Sequence, residues 1–414
     1  ARRGPAAARR RGRRRGRGES GRRRPLGRAA VVAIVLAALN LRPAVVAISP
    51  VLGEIRTDLG LSATAAGVLT TLPVLCFGLL APLAPVLARR WGLERALFVS
   101  LVLLCVGFAL RLVPSTAGLF AGTVVAGCAI GLGNVLLPAL IKRDFADRIG
   151  LMTGLYSMAL SGGAALAAGL TLPVASAAGL DWRGALATWG VLAVLGALVW
   201  VPRARRPAPA GTGAFGPGAG PAAARSAVWR SPLAWAVTVV MGMQSLSFYA
   251  VNAWLPEIMV ALGRTPEVGG GLLALCNLAG IVAPPPPPAP AGRCPRPRGS
   301  GLVPVGRAGP GRPGRAAAPG GAALWVVLVG LGQGGGISLA LTLMALRARD
   351  AAHTSELSGM AQSAGYLLAA TGPLGLGLAH DVTGTWTVPL LLLVAAAAVQ
   401  GVAVWFAGRD AHVH

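Results

Sequence analysis

Charge is what this chain has least of. Only 12% of its 414 residues are Asp, Glu, Lys or Arg, thirteen of them acidic, and a single lysine, Lys142, stands beside 37 arginines. A soluble domain carries about 25% charged residues, so the composition argues against a water-soluble enzyme. Cysteine is scarce as well. Cys76, Cys105, Cys128 and Cys276 lie inside apolar runs, Cys294 lies in a Pro/Arg-rich stretch, and no CxxC or His/Cys cluster occurs. Neither a disulfide framework nor a zinc site is supported. Nucleotide and flavin motifs are missing too. The run GLGQGGG at 330–336 has no strand before it and no Lys-Ser/Thr after it, as a phosphate loop requires. No cofactor, no metal and no enzymatic activity are expected.

What the chain has in abundance is apolar sequence, 54% of its residues. Runs long enough to cross a hydrocarbon core, about 20 residues, fall near 29–53, 62–88, 95–113, 117–141, 150–175, 184–201, 232–256, 267–283, 321–346, 357–379 and 386–407. Backbone groups in lipid must be satisfied internally, and the alternating ten-residue segments of a β-barrel are not seen. An all-α polytopic membrane protein is therefore expected.

The net charge of +25 suggests a nucleic-acid binder until it is located on the chain. Residues 1–28 hold thirteen arginines and one glutamate, and residues 284–318 hold six arginines and no acid. Arg/Gly composition predicts a disordered arm at 1–28, with anionic lipid as its partner and a misplaced upstream start as the alternative. It lacks the pattern of a cleavable signal. RNA binding is not expected without interleaved aromatic residues. The remaining bases crowd into alternate loops: Arg89, Arg90 and Arg95; Lys142, Arg143 and Arg148; Arg203 to Arg230; Arg347 and Arg349. By the positive-inside rule these loops are cytoplasmic, as are both termini, in a bacterial inner membrane. Both ends inside requires an even number of spans, and eleven are counted.

An internal repeat locates the missing one. Glu54-Ile55-x-x-x-Leu59-Gly60 returns as Glu257-Ile258-x-x-x-Leu262-Gly263, an offset of 203 that also relates Gly67 to Gly270, Leu72 to Leu275, and Gly127, Gly131 and Gly133 to Gly330, Gly334 and Gly336. Two parallel halves of six helices follow, a plan in which substrate binds at the midplane between halves. The expected division is an N-terminal half at 29–201, a cytoplasmic linker at 202–231, a C-terminal half at 232–408 and a tail at 409–414. The repeat calls for a ninth helix near 298–316, yet residues 284–318 are rich in Pro and Arg, which break helices and resist insertion. The length fits while the chemistry does not. Compensating reading-frame shifts in GC-rich coding account for both; a genuine Pro-rich cytoplasmic loop leaves the span count odd. Taken as written, the segment disrupts the ninth helix and could yield a product that does not transport.

The stretches LNLRPAVVAISPVLGEI (39–55), TTLPVLCFGLLAPLAPVLARRWGLERAL (70–97), GNVLLPALIKRDF (133–145), SFYAVNAWLPEI (247–258) and GLGQGGGISLALTLMALRARD (330–350) resemble the cyanate/2-nitroimidazole transporter (CynX/NimT) branch of the major facilitator superfamily. The resemblance implies a twelve-helix major facilitator fold and alternating access. The superfamily loop Gly-x-x-x-Asp-Arg-x-Gly-Arg is only partly kept. Arg90 and Gly92 remain, while Pro85, Arg89 and Leu93 replace its first Gly, its Asp and its last Arg.

A polar side chain within a span is a functional candidate by default. Arg42, beside Pro43 and near Asn40, would supply a fork of donors to an anionic or carbonyl-bearing solute. Asn134, Gln244, Tyr249, Asn252, Gln333 and Gln362 are softer candidates for orienting a small polar solute, each equally explained by an interhelical hydrogen bond. Arg90, Arg143, Asp144, Arg349 and Asp350 read as structural or gating charges at cytoplasmic helix ends. Trp182 and Trp386, and in part Trp254 and Tyr249, read as interfacial anchors. The expected activity is transport of a small anion or polar organic solute by a monomer; the alternative is a multidrug-type exporter. No acid lies mid-span, so an intramembrane proton relay is not visible.

Overall fold

The computed structural model describes residues 28–205, 228–282, 319–348 and 351–408. The expectations for the arm at 1–28 (but for Arg28), most of the linker at 202–231, the anomalous segment 284–318, the charges Arg349 and Asp350 and the tail 409–414 fall outside the described residues; the described ends of the linker, 202–204 and 228–230, are helical. Among those described, the chain is helical throughout, with no β-strand. The helices are α1 (Arg28–Asn40), α2 (Pro43–Val46), α3 (Leu52–Leu59), α4 (Ala63–Leu80), α5 (Leu83–Trp91), α6 (Leu93–Arg111), α7 (Thr116–Asp144) and α8 (Ile149–Ala178). They continue with α9 (Trp182–Ala204), α10 (Pro232–Ala261), α11 (Pro266–Val282), α12 (Pro319–Arg347), α13 (Ala351–Thr383) and α14 (Thr387–Ala407). Every one of the eleven apolar runs is helical. Among the described residues, nine helical stretches are long and apolar enough to span a membrane, the first of them running across Ala29–Leu59.

Local chemistry sets the ends. Ser62, Ser115, Asp181 and Ser231 each accept a hydrogen bond from a backbone N–H of the first turn of α4, α7, α9 and α10, satisfying donors that a helix start leaves open. Gly60 and Gly179 close α3 and α8 in the left-handed conformation, which only glycine adopts without a steric cost. The first two runs are not single helices. The first breaks at Leu41–Arg42, with a 3-10 turn at Ser49–Val51, because Pro43 and Pro50 bring no N–H to the ladder. The second divides at Ala81–Pro82.

The repeated glycines make matching contacts. A Cβ at Gly67 on α4 would lie 2.8 Å from the Pro373 carbonyl of α13, and one at Gly270 on α11 would lie 2.6 Å from the Ala168 carbonyl of α8. Both are places where the first half packs against the second. Gly127 and Gly330 instead press on neighbours within their own halves, Pro73 of α4 and Cys276 of α11. Small residues allow such backbone approach in lipid, where packing replaces the hydrophobic drive.

The tryptophans correct an expectation. Trp182 is 4% exposed and Trp254 fully buried. The Trp182 indole donates to Asp58 at 3.1 Å and that of Trp254 to the Pro373 carbonyl at 2.9 Å. Trp386 stacks on Trp254 and His380, with ring centroids 5.3 and 4.3 Å apart. Trp182 and Trp254 are core residues, while Trp386 is half-buried and packs against that core.

Candidate substrate site

Arg42 sits at the break in the first span, half-buried. Its Nη1 donates to the Tyr249 hydroxyl at 3.1 Å, joining α10 of the second half. The guanidinium carbon lies 5.2 Å from the centroid of Phe248 and 5.9 Å from that of Tyr249, within cation–π range. Tyr249 packs on Phe77 of α4 and Tyr366 of α13, with centroids 6.0 and 6.4 Å away. Tyr156 of α8 completes the surroundings, close enough to interact electrostatically with Arg42. The chain has three tyrosines in all; every one of them lies close enough to this guanidinium to interact with it electrostatically. Among the described residues no carboxylate contacts Arg42, and its Nε and Nη2 have no partner. A small cavity lined by Val46, Ser49, Thr70, Tyr249 and Asn252 adjoins the cluster.

The other sequence candidates divide. Asn40 turns away from Arg42: its amide donates to Leu36 O at 2.8 Å and packs against Gly196 of α9. Asn134 is half-buried on α7. Gln244 donates to the Gln333 carbonyl at 3.5 Å and Gln333 to the Ser247 carbonyl at 3.4 Å, so these two stitch α10 to α12. Asn252 donates to Phe248 O at 2.9 Å and accepts from Asn277 at 3.0 Å. Gln362 bonds Ser358 one turn away at 3.0 Å. Thus Arg42 and Tyr249 meet, while Gln244, Asn252, Gln333 and Gln362 bond to helices and the Asn40 Oδ1 is buried without a partner. Sequence reasoning missed Tyr156, Tyr366, Phe77, Asn277 and Arg111; the scarcity of tyrosine was the one signal that could have raised the first two.

The charged groups gather at the two ends of the bundle. At one end Arg143 pairs with Glu94 and, at 2.7 Å, with Asp144, which also receives Arg203 at 3.3 Å. All four belong to the first half. Arg90 is exposed in the last turn of α5. At the other end Arg56 of α3 pairs with Glu257 of α10, across the halves. Asp58 holds Arg183 at 3.0 Å. Asp381, at the tip of α13 beyond the apolar run 357–379, accepts from the backbone N–H of Ala63 at 2.9 Å and of Thr64 at 2.6 Å, and from the Thr64 hydroxyl at 2.5 Å. A carboxylate from the second half thereby caps a helix start in the first. Slight burial pushes the Asp381 carboxyl up, but the Thr64 hydroxyl and the two N–H groups outweigh it and leave it below the usual carboxylate range. Burial first and Arg56 second push neighbouring His380 down from the usual imidazole value.

In comparison with known proteins, residues 30–298 match the family model described as Major Facilitator Superfamily. The chain is 41% identical over 392 residues to an uncharacterized transporter, YycB, of Bacillus subtilis (strain 168), covering 92% of this chain and 94% of that one. It is 38% identical over 385 residues to the 2-nitroimidazole transporter of Escherichia coli (strain K12), covering 92% and 96%. With the cyanate transport protein CynX of the same organism it shares 29% identity over 370 residues, covering 86% and 91%. Among solved structures the D-xylose-proton symporter matches with a TM-score of 0.68 at 15% identity, covering 93% of this chain and 98% of that one. At that identity the likeness is one of fold.

Proposed function

The chain belongs to the Major Facilitator Superfamily, and from that premise we propose that it moves a small, flat, anionic or acceptor-rich solute across the bacterial inner membrane by alternating access, with Arg42 as the group that holds the cargo. One observation carries this reading: a guanidinium bonded once, to Tyr249, with its Nε and Nη2 left over and aromatic rings beside it. Keeping a cation in a low-dielectric site is costly without a counter-charge, and an anionic cargo supplies one. Its oxygens or nitrogens would take the adjacent donors, which suit a planar acceptor. Its flat face would lie on Phe248, Tyr249 or Tyr366. The names of the relatives, a 2-nitroimidazole transporter and a cyanate transport protein, agree with a planar, acceptor-bearing solute.

The bundle end with Arg143 would face the cytoplasm, as the loop charges favour, and rocking of the two halves would expose Arg42 to each side in turn. The aromatic cluster alone would equally suit a multidrug-type exporter. Arg42 decides between the two, because a hydrophobic cation would be repelled by it.

The test is uptake by the full chain in proteoliposomes, with benzoate, cyanate and 2-nitroimidazole as probes and a lipophilic cationic dye as control. Saturable uptake of at least one of the three is expected. Arg42→Gln should lower it about ten- to a hundredfold, the range for losing hydrogen bonds to a charged group. Transport of the dye alone, or indifference to Arg42→Gln, would overturn the reading.

A further inference from the structure

A second arginine is buried more deeply than Arg42 and has no part in the site described. Arg111 closes α6 and is 1% exposed. Its Nη1 donates to the Ala44 carbonyl at 2.8 Å, two residues beyond Arg42. Its Nε and Nη2 are buried without a partner. The slot around it is shaped for the side chain. The guanidinium carbon lies 5.7 Å from the Phe108 centroid, and a Cβ on Gly122 of α7 would stand 2.6 Å from the Gly107 carbonyl of α6 and 2.8 Å from the Arg111 Cγ. Only a glycine there leaves room for the stem.

The partner matters more than the slot. The backbone ladder restarts after the break with Val45 and Val46 donating to Arg42 O and Ala47 donating to Pro43 O. The next carbonyl in line, that of Ala44, would take the Ile48 N–H in a continuous helix; here it takes Arg111. Upstream, the Leu39 carbonyl that Pro43 leaves without its helical donor abuts Gly163 of α8, where any Cβ would collide with it. The prolines break the first span, and two neighbours meet the carbonyls freed on either side of Arg42, Gly163 by yielding space to that of Leu39 and Arg111 by donating to that of Ala44.

We propose that Arg111 is a positioning residue for the cargo site: by bonding the Ala44 carbonyl it holds the break in the first span and so fixes the direction in which Arg42 presents its free donors. The inference rests on the reading of Arg42 as the cargo-holding group. It explains why a charge is kept in a sealed interior place with two donors unspent. A neutral donor would hold the carbonyl less firmly, and without any donor α2 could continue as helix through Ile48, turning Arg42.

The experiment compares Arg111→Gln, Arg111→Lys and Gly122→Ala with the unaltered full chain at equal reconstituted amounts. Two readouts are taken: KM and Vmax for whichever of benzoate, cyanate or 2-nitroimidazole is carried, and hydrogen exchange of the amides at 44–48. In Arg111→Gln the KM should rise at least fivefold with Vmax within about twofold, and exchange at 44–48 should change while the rest of the chain does not. Arg111→Lys, which keeps a charged donor, should recover part of both. Gly122→Ala meets the Gly107 carbonyl as well as the stem, so it should disturb exchange at 44–48 together with the α6–α7 contact; should Arg111→Gln fail to fold, Arg111→Lys stands in, with a smaller change of both readouts. Unchanged KM and unchanged exchange in folded variants would overturn the proposal. If Arg42→Gln alters transport and Arg111→Gln does not, only this inference falls. If Arg42→Gln has no effect, the cargo site itself is wrong, and exchange at 44–48 still decides whether Arg111 holds the break.

Discussion

The two ends of the bundle use the same chemistry for different ends. Around Arg143 the described ion pairs join α6, α7 and α9 of the first half to one another. At the Asp381 end one pair, Asp58 with Arg183, stays within the first half, but the Arg56–Glu257 pair and the hydrogen bonds from the start of α4 to Asp381 reach from one half to the other. A pair inside a half must survive every state in which that half moves as a body. Under the proposed rocking, a pair between halves would form in one state and break in another, so it would have to be strong enough to close and weak enough to open. The geometry agrees: the Asp381 contacts use a helix start, where an anion contributes only about 0.3–1 kcal/mol.

The largest effect should come from damaging the within-half cluster. Arg143→Ala leaves Glu94 and Asp144, both mostly buried at 16% and 17% exposure, without their shared cation. Removing one partner of a buried pair costs about 3–5 kcal/mol, and about 3 kcal/mol is reasonable for groups still partly wetted. Thermal unfolding in detergent should fall by several degrees, while exchange at the Asp381 end stays as it was. Faster exchange of the Ala63 and Thr64 amides in this variant would erase the distinction between the ends.

A smaller effect, of opposite kind, is expected from Glu257→Gln. It removes the charge that holds Arg56 across the halves and should weaken closure by about 1.5 kcal/mol, roughly tenfold. The Ala63 and Thr64 amides, which donate to Asp381 across the halves, should exchange about tenfold faster, with little change in unfolding temperature. Reversing both charges in the double variant Arg56→Glu with Glu257→Arg should restore protection. A drop in stability without faster exchange would mean the pair is structural after all.

The sequence carries the helices well and the site only in part, for reasons visible in particular residues. The break before Pro43 is legible because a missing N–H has only one consequence. Arg42 stands out because nothing else charged lies mid-run, and Tyr249 lies on a legible span. Tyr156 and Tyr366 do not stand out, since they reach Arg42 from α8 and α13 and only packing brings them there. Asn252 and Gln333 look like cargo ligands on paper, because a neutral amide gives no sign of whether its partner will be a solute or the next helix. Arg111 closes an apolar run, where an arginine ordinarily reads as loop. Trp182 reads as an anchor until Asp58, 124 residues earlier, is found beneath its indole.

The smallest predicted effect separates two groups at the Asp381 end by pH. Asp381 is held below its ordinary range when the ends meet, so its contribution to closure is complete above the open-state value and is lost only as pH falls through the lower closed-state value. Between pH 5 and 8 it should be constant. His380 lies beside Arg56 and Asp381, stacked on Trp386, and is lowered by burial and by Arg56. A lowered imidazole binds fewer protons closed than open, so closure weakens as pH falls below the ordinary histidine value and levels off beneath the closed-state one. Exchange of the Ala63 and Thr64 amides, corrected for its intrinsic pH dependence, should therefore rise by a few-fold from pH 7.5 to pH 5.5. His380→Gln should flatten that rise. Asp381→Asn should raise exchange about two- to fivefold at every pH in that window, as losing about 0.3–1 kcal/mol of charge at a helix start would. A slope that persists in His380→Gln and vanishes in Asp381→Asn would assign the titration to the wrong residue and make the cap, not the imidazole, the part of this end that senses protons.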